Sequence, residues 1–419
     1  MNPESAGPAA VARQRVQWAD VAKGACIIFV VLWHVTVKHY LLIQWHLVLP
    51  VPGGWGKLSE QLLPLRMPLF FTISGVFATN AVARPWRVLV RSRIAKFFYI
   101  YAVWLFIHTA VLAAVPDFPT DRATSPLVLV EQLTITPSNL WYLFALAVYF
   151  AFAKAVRPVP RWLVLGAAVA LSVIAAAELI PTPGDRGSVL QNLVWFLAGL
   201  YFRPLVERFA AGATNRRLAV TTAVYVVALG AMAAAGAEFW PGVWFLVSLA
   251  AVAFGVAAAA RVGHWHAVAD PLARLGRRTL PVYVIHMPAL ALLHLLLTGP
   301  LSRLGPLAQA PVALFYPIVL TALVIAASLA IHRGLMAAHA TWLFALPGRR
   351  RAVRPAADPE RTTDFGHLTG AGPAGGSDES TVVLPVVHQA DRRPGPVAPG
   401  DPHRSTGSED ATVMLPVIR

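Results

Sequence analysis

Ten apolar runs of membrane-spanning length constrain this chain more than any other feature. They fall at about 24–43, 63–82, 94–115, 139–156, 162–180, 188–204, 217–236, 242–260, 280–298 and 311–335. A hydrocarbon core of about 30 Å takes roughly 20 apolar residues of helix to cross, and lipid offers backbone groups no partner but one another. Each run therefore predicts a helix, the short one at 188–204 being tilted or partly interfacial. Only 13% of the 419 residues are charged and 57% are hydrophobic, whereas a soluble chain carries about 25% charged residues. The predicted fold class is all-α: a polytopic integral membrane protein of about ten transmembrane helices over residues 1–346. Residues 347–419 lose the apolar runs, gain Pro, Gly, Ser, Asp and Arg, and predict a disordered tail.

The basic residues orient the bundle. One set of alternating connections carries Arg84, Arg87, Arg91, Arg93 and Lys96, then Lys154, Arg157 and Arg161. It continues with Arg203, Arg208, Arg216 and Arg217, and with Arg261, Arg274, Arg277 and Arg278. The opposite set holds Lys57 and Arg66, then Arg122, Arg186 and Arg303. The positive-inside rule makes the first set cytoplasmic and, with Arg13, Arg15 and Arg349–Arg351 at the ends, both termini too. A net charge of +15 is thus a topology signal and predicts no nucleic-acid partner; the partner is the lipid bilayer. The first twenty residues are polar and lead straight into a long span, so no cleavable signal peptide is expected. Cys26 is the only cysteine, which excludes disulfides and thiolate metal sites, and no metal is expected. His39, His46, His108, His294 and His332 lack metal-ligand spacing and read as interfacial or packing residues. No repeat relates the two halves, which counts against a secondary transporter.

The first span runs Asp20-Val-Ala-Lys23-Gly-Ala-Cys26-Ile-Ile-Phe-Val-Val-Leu-Trp-His34. Asp20 suits an N-cap, and Lys23 can snorkel to the interface. His34 follows Lys23 by 11 residues, roughly 16 Å along a helix, near mid-bilayer. An ionisable group at that depth faces the protein interior or a wet cavity. On the residues alone it serves either a hydrogen bond between helices or chemistry.

The pattern Asp-x-x-Lys-Gly-x-x-Ile-x-x-Val-Val-x-x-His at 20–34 resembles the first helix of the membrane acyltransferase-3 family, the O-acyltransferases of bacterial envelope glycans, and most of all its fucose 4-O-acetylase-like branch. That family usually has Arg where this chain has Lys23, so the charge is kept and the bidentate fork lost. The resemblance covers roughly residues 15–345. It implies a bacterial cytoplasmic-membrane enzyme in which neutral His34 is the general base. Cytosolic acetyl-CoA would be the acyl donor, held with the help of Lys23. The acceptor would be a hydroxyl of an envelope glycan or glycolipid.

The other resembling elements carry less specific readings. Leu65-Arg66-Met-Pro-Leu-Phe-Phe-Thr-Ile-Ser74-Gly75 is similar to the family's second-helix motif. Ser74, expected at the depth of His34, is either a nucleophile or part of a close-packing Ser-Gly step. Arg66 is either a contact for the acceptor or a headgroup, or an interfacial anchor. The stretch holding Arg91, Arg93 and Lys96 resembles the family's basic segment. It binds the phosphates of coenzyme A or merely keeps its loop inside. Trp141 and Tyr142, in an element similar to the family's Leu-Trp-Tyr/Phe-Leu, stack on sugar or belong to the aromatic belt. Thr279-Leu-Pro-Val-Tyr283-Val-Ile-His286 resembles the family's late Thr-x-x-Tyr-x-x-His motif, its histidine a donor-site or structural residue. Two other classes remain open: a transporter or flippase for a lipid-linked glycan, and a scaffold acting through its tail.

The tail carries a short repeat. Ser377-Asp-Glu-Ser-Thr381-Val-Val-Leu384-Pro-Val recurs as Ser408-Glu-Asp-Ala-Thr412-Val-Met-Leu415-Pro-Val. Acidic residues before each threonine and a leucine three after it resemble phosphothreonine motifs read by forkhead-associated domains. Thr381 and Thr412 are therefore candidates for a Ser/Thr kinase and a phosphothreonine reader; an unmodified duplicated hexapeptide is the alternative.

A cysteine placed at Gly53 is expected to react with an impermeant thiol reagent on intact cells, and one at Ser92 is not. Labelling at both positions would overturn the orientation.

Overall fold

In the computed structural model residues 8–47 and 50–347 are described, and among them there is no strand. The helices are α1 (Pro8–Lys38), α2 (Val51–Gln61), α3 (Leu63–Ala83), α4 (Trp86–Leu89), α5 (Ala95–Ala113), α6 (Pro126–Thr134), α7 (Trp141–Ala155) and α8 (Arg161–Ala176). They continue as α9 (Arg186–Tyr201), α10 (Arg203–Ala211), α11 (Asn215–Ala235), α12 (Val243–Val262), α13 (His266–Gly276), α14 (Thr279–Ser302) and α15 (Pro306–Ala337). The tail repeat, with Thr381 and Thr412, lies outside the described residues.

Each of the ten apolar runs is helical, but not each is a full span. Seven stretches are long and apolar enough to cross a membrane, and α9 with α10 makes an eighth only as a pair bent by 76°. α7 and α8 have 15 and 16 residues, fewer than the roughly 17–25 of a usual span. The expected count of ten is therefore not reached on length.

Burial ranks the helices. The α2–α3 span is 67% buried and α14 61%, against 11% for α11. The interior is built on α3 and α14 with α1 packed against both, and α11 lies at the periphery. α1 also starts earlier than Asp20, at Pro8. Asp20 is thus no N-cap. It sits 7% exposed inside the helix, where its carboxylate needs cations, and it takes Lys23 at 2.7 Å and Arg277 of the α13–α14 turn at 3.5 Å.

Proline breaks the helical ladder, and other helices repair it. Pro288 has no N–H for the carbonyl four residues back, Val284. That oxygen instead accepts from His108 Nε2 of α5 at 2.8 Å. Pro317 frees Ala313 in the same way, and the Tyr40 hydroxyl donates to it at 2.7 Å. Each bond removes an orphan carbonyl from a dry interior and ties two helices together.

Two crossings bring backbones into contact through glycine. Gly75 of α3 lies on the carbonyl of Phe196, and Gly199 of α9 lies on that of Thr72. Gly24 of α1 and Gly276 of α13 are paired likewise, against Leu272 and Asp20. Without a hydrophobic drive between helices in lipid, such close approach supplies the packing. A Cβ at any of the four would overlap carbonyl oxygen, whereas Gly230 of α11 has nothing within 4 Å. Gly75→Ala and Gly199→Ala are expected to lower the thermal midpoint in detergent, since overpacking costs about 1–3 kcal/mol or more. Gly230→Ala should hold or raise it. Equal midpoints for all three would refute the crossing.

Candidate active site

The interior turn of α14 fixes a chain of hydrogen bonds that ends on α1. His286 is 1% exposed. Its Nδ1 lies 2.7 Å from the carbonyl oxygen of Tyr283 and 3.1 Å from that of Val282. A carbonyl only accepts, so Nδ1 carries the proton and Nε2 of the neutral ring is a bare acceptor. Nε2 faces Nδ1 of His34 at 3.1 Å, and His34 must therefore donate from Nδ1. Its Nε2 is left as the lone pair. The arrangement turns His34 into an oriented neutral imidazole with one free basic nitrogen.

His34 lines a cavity of about 320 Å³ at the C-terminal end of α1 and the N-terminal ends of α3, α7, α9 and α12. The walls combine Trp33, Trp141 and Trp244 with Lys38, Arg66, Asp121 and Asp185. Aromatic faces beside carboxylates and amides suit a polar, ring-shaped molecule better than a lipid tail. Asn192 also faces this cavity. It is 4% exposed, and its Oδ1 has no partner among the described residues.

A second cavity, of about 470 Å³, meets the middle of α1 around Asp20 and Lys23. Asp20, Lys23 and Arg93 line it with an apolar sleeve that includes Phe70, Phe77 and Phe97. The two cavities share Tyr283. Its hydroxyl lies 3.2 Å from Asn139 O, to which it donates, and 3.2 Å from Tyr142 N, from which it accepts. It thereby satisfies a free N–H in the first turn of α7. Tyr142, which lines the Lys23 cavity, shares a 2.8 Å hydrogen bond with Ser74.

The candidates named from sequence are sorted by this geometry. Lys23 and Arg93 meet in one cavity, and His34, Arg66 and Trp141 in the other. Tyr142 sits on the Lys23 side, apart from its neighbour Trp141. Arg91 and Lys96 line neither; with Arg87 they border a separate groove. The reason is a π-turn over Val90–Ile94. Bonds from i to i+5 stack Lys96 over Arg91 and leave Arg93 pointing inward, where it lies over the Phe150 ring at 5.8 Å. Ser74 is not level with His34. Lys23 stacks over Phe77 and Arg66 over Trp33, so the antiparallel register puts Ser74 roughly two turns nearer Lys23. Arg66 is no interfacial anchor: it is 6% exposed.

Comparison with known proteins gives the family. The acyltransferase-3 family, described as an acyltransferase domain, matches residues 16–331. The chain belongs to the acyltransferase-3 family. It is a membrane acyltransferase, and an acyl donor is implied. The inner membrane protein YcfT of Escherichia coli K12 is 25% identical over 371 residues, which cover 81% of this chain and 99% of that protein. No solved structure matches. Among the described residues no three His, Cys, Asp or Glu side chains form a group able to hold a metal.

Asp121 and Asp185 were not singled out by the sequence. The signal was present in their scarcity, since the chain has 20 acidic residues in 419 and these two lie in connections between apolar runs. Burial pushes the Asp185 carboxyl up to about 7, with the neighbouring Asp121 adding to the shift and Lys38 opposing it. The unfolded value is about 3.9, so the folded state binds more protons across that window. Stability from this group falls as pH rises from about 4 to about 7. The thermal midpoint of Asp185→Asn relative to the wild type should therefore increase between about pH 4.5 and about pH 7.5. A difference independent of pH would refute the assignment.

Proposed function

We propose that the protein transfers an acetyl group from acetyl-CoA to a hydroxyl of an envelope glycan or glycolipid, with His34 as general base. The observation that carries this reading is the pair of cavities at two depths along α1, sharing Tyr283 beside the His34–His286 pair. Two substrates of different character can each occupy one and meet at the base.

The Lys23 cavity is the donor side. Its apolar sleeve takes the thin pantetheine arm, while the phosphates stay near Lys23 and Arg93, where cations favour them. The positive-inside bias puts this side in the cytosol with both termini, in a bacterial cytoplasmic membrane like that named for the Escherichia coli relative. Arg91 and Lys96 border the separate groove and are left to topology. The His34 cavity is the acceptor side, where Trp141 and Trp33 offer stacking faces and Asp121, Asp185 and Asn192 accept from hydroxyls.

The reaction uses the free nitrogen of His34. Nε2 takes the acceptor's hydroxyl proton as that oxygen attacks the thioester carbon. The tetrahedral adduct collapses, the C–S bond breaks, and the departing thiolate takes the proton from His34. His286 holds the tautomer throughout.

Purified protein given acetyl-CoA and an envelope-glycan extract should release coenzyme A thiol and acetylate the glycan. His34→Ala should lower the rate by at least about 10²-fold while the protein stays monodisperse and thermally stable. Absence of acetyl-CoA consumption by the wild type would overturn the reading and return a lipid-linked-glycan transporter to the front.

A further inference from the structure

Two cations line the His34 cavity without a role in the reading above, Lys38 and Arg66, and Arg66 is the buried one. It is 6% exposed, and its Nε and Nη1 have no hydrogen-bond partner among the described residues. Its Cζ lies 4.5 Å from the centre of the Trp33 ring, the residue before His34. Among the described residues, no carboxylate forms an ion pair with it. A buried guanidinium without a counter-ion is costly, and a protein keeps one where negative charge arrives or develops.

Two kinds of negative charge could meet it. A permanent anion on the acceptor would enter a cavity where the Asp121 and Asp185 carboxyls already compete for Lys38 and Arg66. A charge that forms only during reaction avoids that conflict. When the acceptor oxygen bonds to the thioester carbon, the carbonyl π pair moves onto oxygen and makes an oxyanion. That charge appears within reach of the base, in the cavity that Arg66 and His34 both line.

The geometry points to Arg66 as the group that stabilises this oxyanion. This role rests on the acyl-transfer reading and extends it. The guanidinium gains most of its interaction in the transition state, since the thioester oxygen carries only partial charge before attack. Trp33 holds the planar cation by its face and leaves the edge N–H groups free for the oxygen. When the adduct collapses, the pair returns to the C=O bond, thiolate leaves, and the His34 proton follows it.

The test uses full-length protein in detergent with acetyl-CoA and an envelope-glycan extract that the wild type acetylates. Arg66→Met should lower kcat by roughly 10²–10³-fold, with KM for donor and acceptor within about threefold of wild type. Its thermal midpoint should hold or rise, because an apolar chain replaces an unpaired buried cation. Arg66→Ala should regain part of its kcat with added guanidinium ion, which a purely structural role would not allow. An unchanged kcat in Arg66→Met, or a raised acceptor KM at unchanged kcat, overturns the oxyanion role and leaves the transferase reading intact. A wild type without transfer overturns both.

Discussion

The constraint on which this structure depends is that its interior offers no water to a polar group. A carbonyl released by a proline or a buried ring nitrogen is costly there unless protein meets it. The carbonyls of Val284 and Ala313 are met by His108 and Tyr40, and the first turn of α7 is met by Tyr283. The same requirement fixes the catalytic candidate. His286 must donate to the Tyr283 carbonyl, and so cannot donate to His34. Structural satisfaction and chemical role are thus one chain of bonds. Of the fifteen buried side-chain polar atoms left without a partner among the described residues, the three on Arg66 and Asn192 belong to side chains lining the His34 cavity.

Precision at His34 then follows from how rigidly α1, α3 and α14 are held. Gly24 and Gly276 set α1 against α13, one residue pair before the turn that feeds α14. Gly75 and Gly199 set α3 against α9, which brings Arg66 and Asn192 to the same cavity from two helices. Because each contact is backbone on backbone, neither crossing can relax by a rotamer change.

The fold was legible wherever it depended on composition and period. All ten apolar runs became helices, because a run of that length in lipid has no other way to pair its backbone. Their division into full and short spans was not legible, since α7, α8 and the bent α9–α10 pair are set by packing. Within the site, the Lys23–His34 spacing placed two groups at two depths of one helix, and the structure puts them in two cavities. What one helix cannot reveal is its register against the next. Ser74 was therefore assigned the wrong depth, and the partner of His34 proved to be His286, 252 residues on. The π-turn was hidden for a related reason: nothing in Val90-Arg-Ser-Arg-Ile94 announces an i to i+5 bond, yet that bond separates Arg93 from Arg91 and Lys96.

The two-cavity layout also bears on a hazard of the chemistry. A base that can activate a hydroxyl can activate water, and a thioester exposed to water would be spent on hydrolysis. Tyr283 lines both cavities, and Tyr142 and Ser74 line the Lys23 cavity, so on the proposed reading Tyr283 lies where solvent in the His34 cavity would meet a donor in the other. Tyr283 caps α7 through its hydroxyl and orients His286 through its carbonyl. A shift of the α14 backbone at Tyr283 would therefore also disturb the bond that holds the His34 tautomer, whereas a rotation of its side chain would not. On the proposed reading, only a motion that includes the α14 backbone would tie the opening between the cavities to the orientation of the base.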